Sequence, residues 1–449
     1  MNKLAFLLIQ FVIISGCVNE NKNPAGLKSQ KEPSVVSELT VPDSSVLSVV
    51  YPVITGRKIT VGGADADIKG FTSEAVQTAI DAIRNGNEGG TIILRPGLYN
   101  ITAPVRLYDN MALIGSGPNT ILKKCKGVSS PFAIDADYGE LQVTVPDASG
   151  FKPGMGVAVY DDDQRSGWAL TTTRVRAVRG NTIYLDDYLL RDYHTDRNGM
   201  ISNASSVIEA IDAKNIRISD MTVDGSKESN TMIDGCRAGA IYLHKVHKAV
   251  VENVVVKNFN SDGISWQITE YVAVKNCEIF GCTNSGLHPG TGSPFTLIEG
   301  NNSHDNGGYG LFVCWRVRNG IVRNNRFHHN GINGISTGHK DTNLIFADNH
   351  IFNNGEDGIT LRGEAPNNEP DGTILRNNII ENNGMKKEGY GISVYCMAKN
   401  VMVENNLFRN TGNGKQIAAV YLSGHSLPVE MKGNTISGMK QGETVREKR

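Results

Sequence analysis

The sequence predicts an all-β fold, a parallel β-helix closed at one end by a single helix and interrupted by a small β-rich insertion. Three observations lead there: a repeat of about two dozen residues, alternating apolar segments that each open on a glycine, and 49 glycines in 449 residues. Glycine at that level exceeds the usual ~7%, and with no G-X-Y period the surplus belongs in turns between short strands.

Taken in order, residues 1–16 (MNKLAFLLIQFVIISG) read as a signal peptide, with one lysine, an apolar run too short for a membrane span, and small residues at the end. Its end, Ile14-Ser15-Gly16 with Cys17, resembles the lipobox of bacterial lipoproteins. That resemblance implies a lipidated Cys17 at the head of a flexible linker, 17–45. It also implies an exported lipoprotein of the bacterial cell envelope, held to the membrane by its N-terminal lipid at the outer membrane, periplasmic or surface-facing. Residues 46–137 are expected to form the N-terminal cap and first coils. Within them Thr72 to Arg84 (TSEAVQTAIDAIR) has the spacing of an amphipathic helix, suited to cover the apolar end of a stack. With GGTIILRPGLYNI and MALIGSGPNTIL after it, this region resembles the start of pectate-lyase-like β-helix proteins, which implies right-handed winding. Residues 138–205 break the period and are expected to fold as the insertion, overhanging a groove. The β-helix proper with its active groove is expected over 206–440, and 441–449 read as a charged tail.

The repeat is plainest from residue 250 onward. Asn253, Asn276, Asn301, Asn325, Asn349, Asn378, Asn406 and Asn434 are spaced by 23, 25, 24, 24, 29, 28 and 28 residues, a solenoid period. Gly263, Gly286, Gly310, Gly334, Gly358 and Gly391 keep step and open GISWQ, GLHPG, GLFVCW, GISTGH, GITLRG and GISVYC. Units this rich in Asn-Gly and Asn-Asn and this poor in Ala and Leu do not build helical solenoids. An inward Asn in each coil can bond its neighbours as a ladder. The interior is then packed solid, and function belongs on an outer face.

The charge balance of 45 basic and 46 acidic residues, with 39% apolar content, excludes whole-chain disorder and a polybasic nucleic-acid binder. Export permits disulfides, with Cys277 and Cys282 the nearest pair, although buried thiols are the commoner outcome and the spacing fits no zinc site. No metal site follows, and a monomer is expected.

Counting from each repeat Gly as zero, positions one and three are apolar and inward, so even positions are expected to face solvent. Position two holds His288 and Phe312, position four Gln267, Arg362 and Tyr395, and position six Arg316, Lys340 and Glu364. Equivalent residues of neighbouring coils lie about 4.8 Å apart, which predicts a row of Arg316, Lys340 and Glu364 with Arg362 about 8 Å from Lys340. A lysine held between arginines has its charged form disfavoured, as a general base needs, while Glu364 pulls the other way. Trp315, His339 and Asp341 fall in the same coils. A solvated ladder of ion pairs is the competing reading of such a row.

A long open groove suits a linear polymer. For a polyuronate, β-elimination needs a base at C5, cations at the carboxylate and an acid at the leaving oxygen, which are the residue types gathered here. The stretch GISTGHKDTNLIFADNHIFNNGEDGITLRGE is similar to the family of chondroitinase B and alginate lyases. That resemblance implies Lys340 as base and Arg362 as acid or charge partner. Family members hold a calcium ion with two glutamates just before the lysine, where this chain has Asn333 and Ile335, so no cofactor is expected and Arg316, with His288 or His339, would neutralise the carboxylate. Gly286-Leu287-His288-Pro289-Gly290-Thr291, with Arg316 after it, also looks like the G-h-D-P-H-D phrase of mannuronan C5-epimerases, with His and Gly in place of Asp and His. Two other classes stay open. Asp341 and Glu364, aided by Asp161, Asp162 and Asp163, could be a hydrolase pair, and Trp315 and Tyr395, with Gln267 and Phe312, could be a surface that only binds glycan.

Overall fold

The structure, a computed structural model, describes residues 51–86, 89–363 and 366–447. The leader, Cys17, the linker and Glu364 lie outside the described residues. Among the described residues no helix is long and apolar enough to cross a membrane.

The coils begin under the helix Ser73–Arg84. Thr72 caps it, its hydroxyl accepting from the Ala75 N–H, and Val76, Ala79, Ile80 and Ile83 form the i, i+3, i+4, i+7 stripe that is buried. The stripe closes the first coils, which include Arg57–Gly62 and Gly90–Leu94, paired in parallel. From there one parallel sheet system of 31 strands winds to Thr444–Arg446. Inward residues such as Ile264, Trp266, Leu287, Leu311, Ile335, Ile359 and Ile392 have no exposed surface. The right-handed parallel β-helix expected from the repeat is the fold. The last strand, Thr444–Arg446, falls where a tail was expected from 441. It pairs through its backbone with Gln416–Leu422, which demands little of side-chain polarity.

Two asparagine ladders run up the interior. In the first, Asn301, Asn325, Asn349, Asn378, Asn406 and Asn434 each accept, through Oδ1, the backbone N–H and, from Asn301 on, the side-chain amide of the coil before. The second contains Asn306, Asn330, Asn354 and Asn383 and ends on Gln416. Asn253 and Asn276 are not members. Both are exposed with left-handed φ of 54° and 51°, and the ladder position in that coil is Cys277, whose N–H donates to Asn301. The spacing of 25 before Asn301 conceals this slip of one residue. The Asn-Asn pairs have a divided role. Asn324, Asn377 and Asn405 make the left-handed turn, with φ of 55–57°, and the following Asn enters the ladder. Cys277 and Cys282 are separate buried thiols, each pushed up to about 12 by burial.

Asn349→Ala would leave the Asn325 N–H, one Asn325 amide hydrogen and the Val322 carbonyl buried without partners. At ~1–3 kcal/mol for each orphaned group, a loss of about 3 kcal/mol or more is expected. A chemical denaturation midpoint equal to that of the unchanged protein would contradict the ladder's role.

The insertion leaves after Thr120–Lys124 and returns at Ile208–Asp224, strands that pair with each other. It is a six-stranded antiparallel sheet from Ser129–Pro131 to Met200–Ser202, with a core that includes Phe132, Val157, Ile183 and Ile201. The sheet starts at Ser129, ahead of the expected 138, because Ser129–Pro131 pairs with Met200–Ser202. From its inner face Ala158, Tyr160 and Leu170 enter the apolar cluster of the barrel together with Ile233 and Ala238.

Candidate active site

Strand register places three outward rows side by side. One runs Glu209, Tyr242, Ser265 and His288, and continues after Phe312 as Ser336, Thr360, Ser393 and Tyr421. The next runs Ile211, His244, Gln267 and Gly290 to Cys314. The third consists of the residues just before each repeat glycine, Asp262, Ser285, Tyr309, Asn333, Asp357 and Tyr390. The even positions within the strands are outward, but several are not exposed as expected: Ser265, Gln267 and Ser393 are 0% exposed and His288 3%. The loop carrying Gly235 and Cys236 lies over Tyr242, Ser265 and His288, the Gly235 carbonyl accepting from Ser265 and the Cys236 carbonyl from Tyr242. These residues form the floor of this face, part of it covered by that loop.

At the centre of the floor is a buried ion pair. His288 Nδ1 is 2.7 Å from Asp262 Oδ2, and Asp262 Oδ1 accepts the Ser285 N–H at 2.7 Å. Burial alone would lower the His288 pKa, but the Asp262 charge and hydrogen bond overcome it and hold the imidazole up to about 10. Gly235 has no side chain because a Cβ there would lie 1.6 Å from Asp262 Oδ2. The His288 ring meets Phe312 edge-on at 5.2 Å, and the Arg362 guanidinium lies 4.5 Å from the centre of the same Phe312 ring. Arg362 donates to Ser336 Oγ and to the Val313 carbonyl, both at 2.9 Å, and passes over Gly338, where a Cβ would come within 2.9 Å of Nη2. Tyr309 stacks on Phe312 at 4.9 Å, and burial pushes its hydroxyl above the ordinary tyrosine range. Two fixed cations thus flank one aromatic ring.

The expected row of Arg316, Lys340 and Glu364 is laid out differently. The strands Ile335–Thr337 and Ile359–Leu361 are only three residues long. Trp315, Arg316 and Lys340 follow the strands in left-handed conformation, with φ of 68°, 65° and 56°. Arg316 does lie beside the Lys340 turn, its N–H bonding the His339 carbonyl. The Lys340 N–H, however, bonds the carbonyl of Asn368, because the ladder spacing grows from 24 to 29 residues in this coil. The residue facing Lys340 from the next coil is therefore displaced from 364 by the inserted residues. Lys340 is exposed on the rim and makes no side-chain hydrogen bond or ion pair among the described residues. His339 stacks on Trp315 at 4.5 Å, and Trp315 and Tyr395, at 42% and 43% exposed, remain open for stacking.

The carboxylates do not form a hydrolase pair among the described residues. Asp341 is fully buried and ties its own turn, accepting from the Gly338 and Val317 N–H groups. Asp161 accepts backbone N–H groups inside the insertion, and Asp162 and Asp163 are engaged there by Asn198 and Arg197. Among the described residues the buried carboxylates on this face are Glu209, Asp262 and Asp357; Asp262 and Asp357 are four coils apart, roughly 19 Å by strand spacing, against ~5–9.5 Å for paired glycosidase acids, and Glu209, two coils before Asp262, is held by Arg106 and Arg174. Asp262, Tyr309 and Asp357 were not singled out from the sequence. The signal was there in the residue preceding each repeat glycine, which a count starting at the glycine passes over. At the positions of the expected calcium ligands, Asn333 donates its amide to Thr360 and Ile335 is in the core, so the residues present do not suit a calcium ion.

The family described as rhamnogalacturonase A/epimerase, pectate lyase-like, matches residues 56–288, more than half of the chain. The chain belongs to this family. A second family description, right handed beta helix region, matches residues 221–375 and 342–436. Among solved structures, the A-module of mannuronan C-5 epimerase AlgE4 from Azotobacter vinelandii is 14% identical, with a TM-score of 0.52 over 84% of this chain and 95% of that one. The AlgE6 A-module from the same organism is 15% identical, with a TM-score of 0.49 over 83% and 91%. The likeness to the AlgE4 module is one of fold. No curated protein matches the chain.

Proposed function

We propose that this pectate-lyase-like protein is a carbohydrate-active enzyme that cleaves an acidic polysaccharide by β-elimination. The observation that carries the reading is Arg362, a cation fixed over the face of Phe312 by Ser336 Oγ and the Val313 carbonyl. A uronate carboxylate bound there loses its negative charge to the site, which makes the C5 proton removable. Lys340, on the rim one coil before Arg362, takes that proton as the base. The C5–H electron pair becomes the C4–C5 double bond, the C4–O bond breaks, and the leaving oxygen takes a proton from Tyr309, a phenol that is protonated at neutral pH. The family description names rhamnogalacturonase A, an epimerase and pectate lyase-like proteins, which accords with an acidic polymer.

Incubation with polygalacturonate, alginate, chondroitin and a neutral glycan tests this. Ultraviolet absorbance from unsaturated sugar ends is expected with an acidic polymer, and Lys340→Ala is expected to abolish it without changing the melting temperature. New reducing ends without that absorbance, or changed C5 configuration at constant chain length, would overturn the lyase reading in favour of a hydrolase or an epimerase.

A further inference from the structure

The β-elimination reading leaves one thiol of the floor unused. Cys314 follows Gly290 in the second outward row and is half-buried, with Trp315 beside it 42% exposed. It stands one coil after His288 and two residues further along, roughly 8 Å between backbones by strand spacing, a gap that an imidazole and a thiol close between them. His288 Nδ1 is taken by Asp262 at 2.7 Å. Nε2, on the opposite edge of the ring, has no oxygen or nitrogen partner among the described residues and hydrogen-bonds the Cys314 thiol. Asp262, His288 and Cys314 thus form a line across three successive coils. The spacing carries the same information: the steps from 262 to 288 and from 288 to 314 are both 26 residues, where the repeat glycines here are 23 and 24 apart. The excess of two or three residues moves each member one row over.

That is the order of a nucleophile, a group that exchanges its proton, and a carboxylate that orients that group. The attacking species of such a centre is a thiolate, which cations on either side serve. Two are fixed here. Against the effect of burial, Asp262 holds the His288 imidazole as a cation. The Arg362 guanidinium, donating to the Val313 carbonyl at 2.9 Å, lies at the peptide that joins Val313 to Cys314. Cys236, in the loop above, is the contrasting thiol: burial and the Asp234 charge push it up, which keeps it protonated. Cys277, Cys282 and Cys396 are in the core.

We propose that Cys314, His288 and Asp262 form a second active centre, one that removes acetyl esters from the hydroxyl groups of an acidic polysaccharide. Cys314 and His288 are its catalytic residues and Asp262 is a positioning residue. In the first step the Cys314 sulfur attacks the acetyl carbonyl carbon, the bond from that carbon to the sugar oxygen breaks, and the oxygen leaves with the proton of His288 Nε2. In the second, water attacks the thioester and gives a proton to His288, acetic acid departs and loses its proton to solvent, and the thiolate and imidazolium are restored. Only the sulfur has to meet the substrate carbon, and it belongs to the half-exposed member of the three. A small acyl group is what a half-buried sulfur between strands admits, and Arg362 beside it selects a sugar with a free carboxylate. The acyl chemistry stands on the three residues alone, whereas the choice of an acidic sugar rests on the polysaccharide reading above.

Acetate release from an O-acetylated polyuronate and from p-nitrophenyl acetate tests this, and it is read independently of unsaturated sugar ends. Wild type is expected to release acetate from both. Cys314→Ala is expected to lower release by about 10³ or more at an unchanged melting temperature. Asp262→Asn is expected to lower kcat by about 10²–10⁴ with little change in KM, which a merely structural role would not produce. After acid quench of the p-nitrophenyl acetate reaction, mass spectrometry is expected to find the acetyl group on Cys314. Equal release by Cys314→Ala, an acetyl group on Cys236 instead, or no release from either ester overturns the centre, whether or not the polymer is cleaved. Release from p-nitrophenyl acetate alone, or methanol from a methyl-esterified polyuronate in place of acetate, overturns the assigned substrate.

Discussion

Arg362→Ala is expected to reduce kcat/KM on the acidic polymer by about 10²–10³, the usual consequence of removing one fixed group that stabilises developing charge. Its guanidinium is held before substrate arrives, by Ser336 Oγ, by the Val313 carbonyl and by the face of Phe312. Lysine has the charge but not the planar fork that spans both acceptors, so Arg362→Lys is expected to restore little. Steady-state kinetics on both variants, with melting temperatures recorded alongside, separate this from a loss of fold. Wild-type turnover in Arg362→Ala would remove the residue from the reaction.

Asp262→Ala is expected to cost stability because it leaves His288 Nδ1 and the Ser285 N–H buried without partners, at ~1–3 kcal/mol each, while the imidazole sheds its proton as burial alone dictates. The same pair predicts a pH dependence. The His288 pKa is raised from about 6.5 to about 10, so the folded protein binds the proton more tightly than the unfolded chain. The stability this supplies is fully present below pH ~6.5 and is lost as pH rises from there through ~10. Melting temperature is expected to fall across that window in wild type, and to fall less steeply in Asp262→Ala. Parallel curves would show that the ion pair is not what the pH senses.

The architecture was legible because a period survives in the spacing of residue types even when individual roles are misread. Gly263 to Gly391 gave the strands, and the residues Thr72 to Arg84 gave the cap. What the spacing could not separate was an asparagine that turns the chain from one that bonds along the axis. Asn276 and Asn301 look alike in sequence and differ only in φ and burial. The site was partly legible for a related reason. Arg362 and His288 lie within the short strands or directly after them, where alternation holds, and both reach the groove. Arg316 and Lys340 lie beyond the strand ends in left-handed turns, where counting by two no longer tells direction. Asp262 was missed because its partner is 26 residues away in sequence and one coil away in space.

The ladders also have a direction. Every side-chain carbonyl in them points to the preceding coil and one amide N–H of each toward the next, while the other N–H bonds a backbone carbonyl of the preceding coil, so the bonded amides run head to tail along the axis in two parallel columns. Each member polarises the next, and removing one weakens the bonds on both sides of the gap. Two truncations within one column should therefore cost less than the sum of each alone, whereas one in each column should simply add.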